Sequence, residues 1–453
     1  MWSSQQDHIE QYKQWVDIKG KTVPYPTGPD DFENVVIPTF LENLAFFIKY
    51  QVGWMYFRYF LWNFMGRQND LQGHGSIDKG RAITGIKFID ELIAGPQDNL
   101  PPSLAKNKGR NVYYGIPLIL GILGMMYHFN SRKTDFWALL TLFFFTGIGI
   151  IIYLNQYPLQ PRERDYSYAG SFWAFALWVG LAVPAIYSFF KSGNTQKATM
   201  SFLLCLIAPI IMGVENWDDH DRSNRYAARE MARYYLDSCD KNAILFTNGD
   251  NDTFPLWYLQ ETEEYRTDVR VCNLSLLNTD WYINQMKRKV YESDPLPIPI
   301  PQEKYWGSKR DYIRIFERDT GCWMLLDDFL KFVFDDKNVL GNRGIFYAPC
   351  SRIKIPVDKE AVIKNGIVSG ADTSLIVDTM YVKLPGSILL KSQLMQLVMI
   401  ANSKWQRPIY FAATSGPDAY VGFQDYFQLE GMAYKLVPIK SESKGFFFHG
   451  RVN

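Results

Sequence analysis

The chain is short of the residues and strings that mark the common soluble chemistries. Of its 453 residues, 5 are histidine and 5 cysteine. Cys205, Cys239, Cys272, Cys322 and Cys350 make an odd set with no CxxC pair, which points to neither a zinc site nor a disulfide scaffold. No GxGxxG, Walker A, GxSxG or HExxH string occurs, so the sequence marks of dinucleotide binding, P-loop phosphate binding, serine hydrolysis and zinc proteolysis are missing. Charge of one sign is not in excess: 48 Lys and Arg face 47 Asp and Glu, and a net charge of +1 gives no reason to expect nucleic acid. Met1 to Pro38 is polar and lacks the basic start, apolar middle and small-residue cleavage site of an export signal. No internal repeat is present.

What the chain has is long apolar runs. Val112 to Phe129, Phe136 to Leu154, Ala169 to Phe190 and Ala198 to Val214 are nearly free of charge over roughly the 20 residues that a membrane-crossing helix needs. The expected fold is therefore an α-helical membrane region of about four transmembrane helices plus an interfacial helix, followed by a soluble α/β domain with a small, partly parallel sheet. The domain plan is an external segment 1–111 carrying an aromatic helix at 41–66, a four-helix region 112–215, and an extracytoplasmic domain 216–453. Aromatic residues make up 16% of the chain, and part of that excess suits the bilayer interface, where Trp and Tyr satisfy both an apolar body and a polar tip.

Orientation follows from the connectors, because short loops rich in Lys and Arg stay in the cytoplasm. Arg132 and Lys133 lie between the first two runs, and Lys191 and Lys197 between the last two. The middle loop, Asn155 to Tyr168, then faces the other side with both polar ends of the chain. A polar amino terminus outside the membrane, with nothing to export it, predicts that earlier spans preceded Met1, as in a fragment or a split-gene product.

Four places are candidates for chemistry. Leu41 to Phe64 is apolar but interrupted by Lys49, Gln51 and Arg58; it reads as a helix in the headgroup layer with Arg58 and Arg67 on lipid phosphates, or else as a tilted span. The loop QYPLQPRERDYSYAGSF, Gln156 to Phe172, sets Arg162 and Arg164 beside Glu163 and Asp165, and the planar guanidinium fork suits a phosphate or pyrophosphate unless these acids already occupy it. After the last run come Asp218, Asp219, His220 and Asp221, either acids at a helix start or a rim for a cation or an acceptor. Further on, Ala243 to Thr247, Thr253 to Arg266 and Val269 to Leu274 form a strand, helix and strand, and ligands of such units gather at the carboxyl ends of the strands. Asn248 to Asp252 sits there, with Asp250 and Asp252 in a D-x-D spacing that some transferases use for a metal and a diphosphate. Turn-starting and helix-capping Asp and Asn look the same.

Several strings together identify a resemblance: YQVGWMYFRYFLWNFMGRQND, LNQYPLQPRERDYSYAGSFWAF, NWDDHDRSNRYAARE, FTNGDNDTFPLWYLQE, LLNTDWYINQM and KWQRPIYFA. The chain resembles, over nearly its whole length, the carboxy-terminal half of bacterial membrane proteins of domain-of-unknown-function 2723. That family is similar to a eukaryotic protein O-mannosyltransferase of the C-type glycosyltransferase fold. The resemblance implies a bacterial inner-membrane protein with its carboxy-terminal domain in the periplasm, moving a sugar from a polyprenyl-phosphate carrier to hydroxyls of an exported protein. It also implies that the acidic residue acting on the acceptor belongs to an amino-terminal membrane half. Supporting positions would be Arg58, Arg67, Arg162, Arg164, Asp218 to Arg222 and Asp250 to Asp252. No nucleotide cofactor is required, and a divalent cation is an open option. The rivals are an accessory subunit whose α/β domain binds glycan or protein, and a transporter, against which the near absence of ionisable groups inside the runs counts.

Overall fold

The computed structural model describes residues 5–26, 32–160, 162–190, 194–317, 321–341 and 344–441. Lys191, Pro161 and the tail beyond Ser441 lie outside the described residues. The chain forms two compact units, Met1–Ser223 and Asn224–Asn453. The division falls after Ser223, so Asp218 to Asp221 and the described part of residues 1–111 belong to the helical unit.

In the first unit, three helices are long and apolar enough to cross a membrane: Lys133–Leu154, Asp165–Ser188 and Thr195–Glu215. The first of the four expected spans is a shorter apolar helix, Ile116–Ser131, of 16 residues, entered through Pro117. It packs so closely on the helix that begins at Ala169 that a Cβ on Gly124 would meet the Trp178 carbonyl oxygen at 1.8 Å. Small residues permit such backbone approach between apolar helices.

Phe40–Phe46, Phe47–Phe57 and Arg58–Phe64 run on as one aromatic helix, α-wound at its ends and π-wound in its middle. Thr39 starts it with a reciprocal capping box, its Oγ1 accepting from the Glu42 N–H while Glu42 accepts from the Thr39 N–H at 2.7 Å. Its rings join two clusters. Phe60 and Phe64 meet Phe175 at ring distances of 4.8 and 4.5 Å, while Phe46 and Tyr50 meet Tyr12 and Trp15 of the helix Gln6–Trp15 at 5.0 and 4.9 Å. Whether this segment lies in the headgroup layer or crosses as a tilted span, the two options its sequence offers, it is packed against protein rings near both ends.

The second unit is mixed α/β. Its central five-stranded sheet contains β1 (Ile244–Thr247), β2 (Arg270–Asn273), β3 (Ile409–Ala412), β4 (Phe427–Glu430) and β5 (Ala433–Leu436), in the order β4-β5-β3-β1-β2. β3, β1 and β2 are parallel, with Ile409 opposite Ile244 and Ile244 opposite Arg270, while β5 and β4 return antiparallel. Every residue of β1, β2 and β3 is buried, the pattern of parallel strands covered on both faces. Between β1 and β2 runs α1 (Asp250–Thr262), and after β2 comes α2 (Asp280–Met286). The apolar α3 (Lys391–Ser403) lies at the centre of the core, its Leu394, Leu397 and Val398 grouped with Leu326, Phe329 and Val333.

Cys322 and Cys350 form a disulfide, with Cα atoms 6.1 Å apart, next to the strands Met324–Leu325 and Arg352–Pro356, which pair in parallel. The spacing of the cysteines gave no hint of it, because the pairing is set by strand contact and not by sequence proximity. Cys205, Cys239 and Cys272 are buried thiols.

Candidate functional site

Two of the sequence candidates converge in the helical unit on a ladder of arginines and tryptophans. Trp54, Arg58 and Trp62 stand four residues apart on the aromatic helix and so share one face. The Arg58 guanidinium carbon lies 3.9 Å from the Trp54 ring centre and 4.7 Å from that of Trp62. Arg81 covers Trp54 at 4.9 Å, and Arg67 reaches Trp62 at 5.6 Å. Stacked guanidinium and indole faces attract through the ring quadrupole, by about 0.5–2 kcal/mol per pair. Both the Arg58 Nη1 and the Trp62 Nε1 donate to the Gly80 carbonyl, at 3.1 and 3.0 Å. Gly80 holds φ +59°, and a Cβ there would lie 2.9 Å from Arg58 Nη1, so glycine is required at this rung.

Two carboxylates from distant parts of the unit close the ladder. Glu163 Oε1 pairs with Arg58 Nη2 at 2.9 Å, with the two side chains 17% and 4% exposed. Asp219 pairs with Arg67, whose Nε also donates to the Gly109 carbonyl at 2.8 Å. Arg81 has backbone partners, its Nε donating to the Ser76 carbonyl at 3.1 Å, and burial followed by the neighbouring Arg58 charge lowers its pKa. Arg58 therefore faces protein and not lipid phosphate, a correction to the sequence expectation. A glutamate 105 positions away in the chain could not be foreseen as its partner.

The same contacts empty one side of the Gln156 to Tyr168 loop. Glu163 is turned inward to Arg58, while Arg162 and Arg164 on either side of it are exposed. Among the described residues neither arginine forms an ion pair; Arg162 lies 5.8 Å from the exposed Tyr166 ring. The cleft beside Arg162, with Trp54, Gln72 and His74 in its lining, measures only about 10 Å³, room for about one water.

Asp218 to Asp221 make no common rim. Asp219 is taken by Arg67 and by His220, whose Nδ1 lies 2.7 Å from its Oδ1, and Arg222 Nη1 donates to the Asp219 carbonyl at 2.7 Å. Asp221 Oδ1 accepts from the Ser223 N–H at 2.9 Å, and Asp218 is exposed. The stretch just before them is tied to the start of the apolar helices: Glu215 Oε2 accepts from the Val112 N–H at 2.9 Å, and Asn216 Nδ2 donates to Tyr113 Oη at 2.7 Å.

In the α/β unit the Asn248 to Asp252 turn lies at the carboxyl end of β1, as the strand–helix–strand pattern predicts. Its polar groups serve the turn. Asn273, at the end of β2, donates through Nδ2 to the Gly249 carbonyl at 2.7 Å and to Thr253 Oγ1 at 2.8 Å. Thr414, just beyond β3, donates to Asp252 Oδ2 at 2.6 Å and lies 2.9 Å from Tyr235 Oη. Asp250 is exposed in the first turn of α1, where its charge suits the helix dipole. Among the described residues no group of three or more His, Cys, Asp or Glu side chains is placed to hold a metal ion, so the D-x-D spacing is not matched by a cation-binding donor set.

Sequence reasoning passed over Arg270. It lies in the first position of β2, inside a strand otherwise made of Val, Cys and Asn, and is only 5% exposed. A cation in a buried parallel strand is itself the signal, since such strands are ordinarily apolar throughout.

Residues 228–453 match TMEM260-associated domain 2, and residues 1–48 match a family of unknown function, DUF8416. No curated protein and no solved structure matches the chain.

Proposed function

We propose that the chain is the carboxy-terminal part of a membrane glycosyltransferase, in which the exposed loop of Arg162 and Arg164 receives the phosphate of a polyprenyl-phosphate sugar. The observation that carries this reading is the inward turn of Glu163, which among the described residues leaves Arg162 and Arg164 without an ion pair at the junction of the helices Lys133–Leu154 and Asp165–Ser188. Fixed positive charge at the end of a span is suited to a lipid phosphate, and it would offset the charge on the departing carrier. Ile116–Ser131 would serve as a fourth span. Contacts of Glu163 with Arg58, of Asp219 with Arg67 and of Glu215 with Val112 support one shared face for the loop, the exit from the last span and the start of the first. The Cys322–Cys350 disulfide supports an oxidising compartment for the α/β unit, which suits a periplasmic domain on a bacterial inner membrane. In this reading an amino-terminal membrane half supplies the base that takes the proton from an exported protein hydroxyl. The resemblance to the domain-of-unknown-function 2723 family is what points to sugar transfer.

The test reconstitutes the chain in liposomes with that membrane half, polyprenyl-phosphate mannose and an acceptor peptide. Arg162→Ala/Arg164→Ala is expected to lower transfer roughly ten-fold or more, since each charge-assisted hydrogen bond is worth about 1.5–3 kcal/mol. Its melting temperature should be unchanged. Wild-type transfer by the double variant removes the phosphate role. The small cleft beside Arg162 favours one alternative, a non-catalytic accessory subunit whose α/β unit binds glycan or protein.

A further inference from the structure

The α/β unit has a cavity of about 420 Å³ at the free edge of its central sheet, within the usual range for small-ligand sites. α1 and α2 flank it. Phe254 and Trp257 on α1 present rings 5.5 Å apart and nearly parallel, at 24°, and Trp281 on α2 presents a third. Phe254 and Trp281 are 55% and 54% exposed, an unusual placement for large rings that the core does not use.

Arg270 lines this cavity. Its Nη2 donates to the carbonyls of Gln285 and Arg288 at 3.1 and 3.2 Å, whereas the enclosed Nε and Nη1 have no acceptor. Among the described residues Arg270 forms no ion pair. The one carboxylate in the lining, Glu261, accepts from the Tyr291 hydroxyl. A second guanidinium is close by: Arg407 donates to the carbonyls of Asn242 and Asp294 at 2.8 and 3.0 Å and to Ser293 Oγ, itself in the lining, at 3.1 Å. A buried cation without a counterion is disfavoured by several kcal/mol, and a ligand acid placed beside it removes most of that penalty.

The rest of the lining selects the kind of acid. Thr267 and Gln285 add a neutral hydroxyl and an amide to the lining. A simple aliphatic or aromatic acid would use the rings and the cation and leave these groups idle. A pyranose bearing a carboxylate uses all three, laying its C–H face on an indole, its hydroxyls on the neutral groups and its acid toward Arg270. We infer that this cavity is a binding site for an acidic carbohydrate of the hexuronic type. Binding here does not require that the helical unit transfer sugar, and it can be measured with no donor present.

Titration of the full chain in detergent micelles, followed by tryptophan fluorescence, would compare a disaccharide ending in glucuronic acid, the same disaccharide ending in glucose, and a dipeptide with a free carboxylate. The acidic disaccharide should bind roughly ten-fold or more tighter than the neutral one, the worth of one charged hydrogen bond. Arg270→Gln should erase that preference. Because Arg270 is buried and its replacement could impair folding, Trp281→Ala at the exposed rim is the second variant, expected to weaken the acidic disaccharide about five-fold through loss of a ring contact. Equal affinity for the two disaccharides, no binding of the acidic one, unchanged affinity in Trp281→Ala, or a dipeptide bound as tightly as the acidic disaccharide would each overturn the assignment.

Discussion

Arg58 and Arg270 are hidden to the same degree, each 5% exposed, and meet opposite surroundings. Arg58 lies between two indoles with a glutamate at 2.9 Å, and its Nε and Nη1 donate to backbone carbonyls. Among the described residues Arg270 forms no ion pair, and two of its nitrogens have no acceptor. Burial alone therefore does not tell a structural cation from a binding one. The partner does. A third case lies between them: Arg310, 1% exposed, donates to the Val333 and Lys304 carbonyls at 2.9 and 2.8 Å and pairs at 2.7 Å with Asp336, a carboxylate half in solvent.

The comparison can be broken most sharply at Glu163. Glu163→Gln leaves Arg58 without its counterion and should destabilise the helical unit by about 3 kcal/mol, read by denaturant unfolding in detergent. A change under about 1 kcal/mol would mean that the indoles and carbonyls alone satisfy the guanidinium. Arg270→Met should act in the opposite sense. It removes an uncompensated charge while filling most of the same volume, so without ligand its stability should stay within about 1 kcal/mol of the wild type, although two bonds to backbone carbonyls are lost. A large loss there would make Arg270 a structural residue like Arg58. The smallest effect belongs to the intermediate case. Hydrogen bonds from Lys304 and then Arg310 lower the Asp336 pKa from 3.8 to about 2. A carboxylate whose folded pKa is depressed adds stability above its ordinary pKa and loses it as pH falls toward the folded value. Acid melting curves should therefore drop between about pH 4 and pH 2, and Asp336→Asn should flatten that drop.

How much of this was legible in the sequence depended on the range of the contact. β1, the turn at Asn248, α1 and β2 follow from local signals: a short apolar run, a cluster of Asn, Gly and Asp, a helical stretch, and a second apolar run. The strand ends fall within about one residue of their expected places, whereas the helix, expected at Thr253 to Arg266, runs from Asp250 to Thr262. The apolar helices were equally plain, since composition alone marks them, though Ile116–Ser131 is shorter than the run that announced it because it starts only after Gly115, which holds a left-handed φ of 66°. The partners of the arginines were not legible. Arg58 and Glu163, or Arg67 and Asp219, meet only because the aromatic helix is held by packing that no spacing rule describes. The Cys322–Cys350 bridge escaped notice for the same reason, its two ends being brought together by parallel strand pairing.

The π-wound stretch Phe47–Phe57 joins two differently anchored halves of one rod. Its leading half is fixed through Phe46 and Tyr50 to Tyr12 and Trp15, and its trailing half through Arg58 to Glu163. Because each residue of an ordinary α-helix advances the azimuth by about 100°, the wide coils set the angular offset between the anchors. Shortening this stretch by a single residue would rotate one anchor out of reach of its mate, whereas exchanging side chains within it would leave the offset intact. Length here is more tightly constrained than composition.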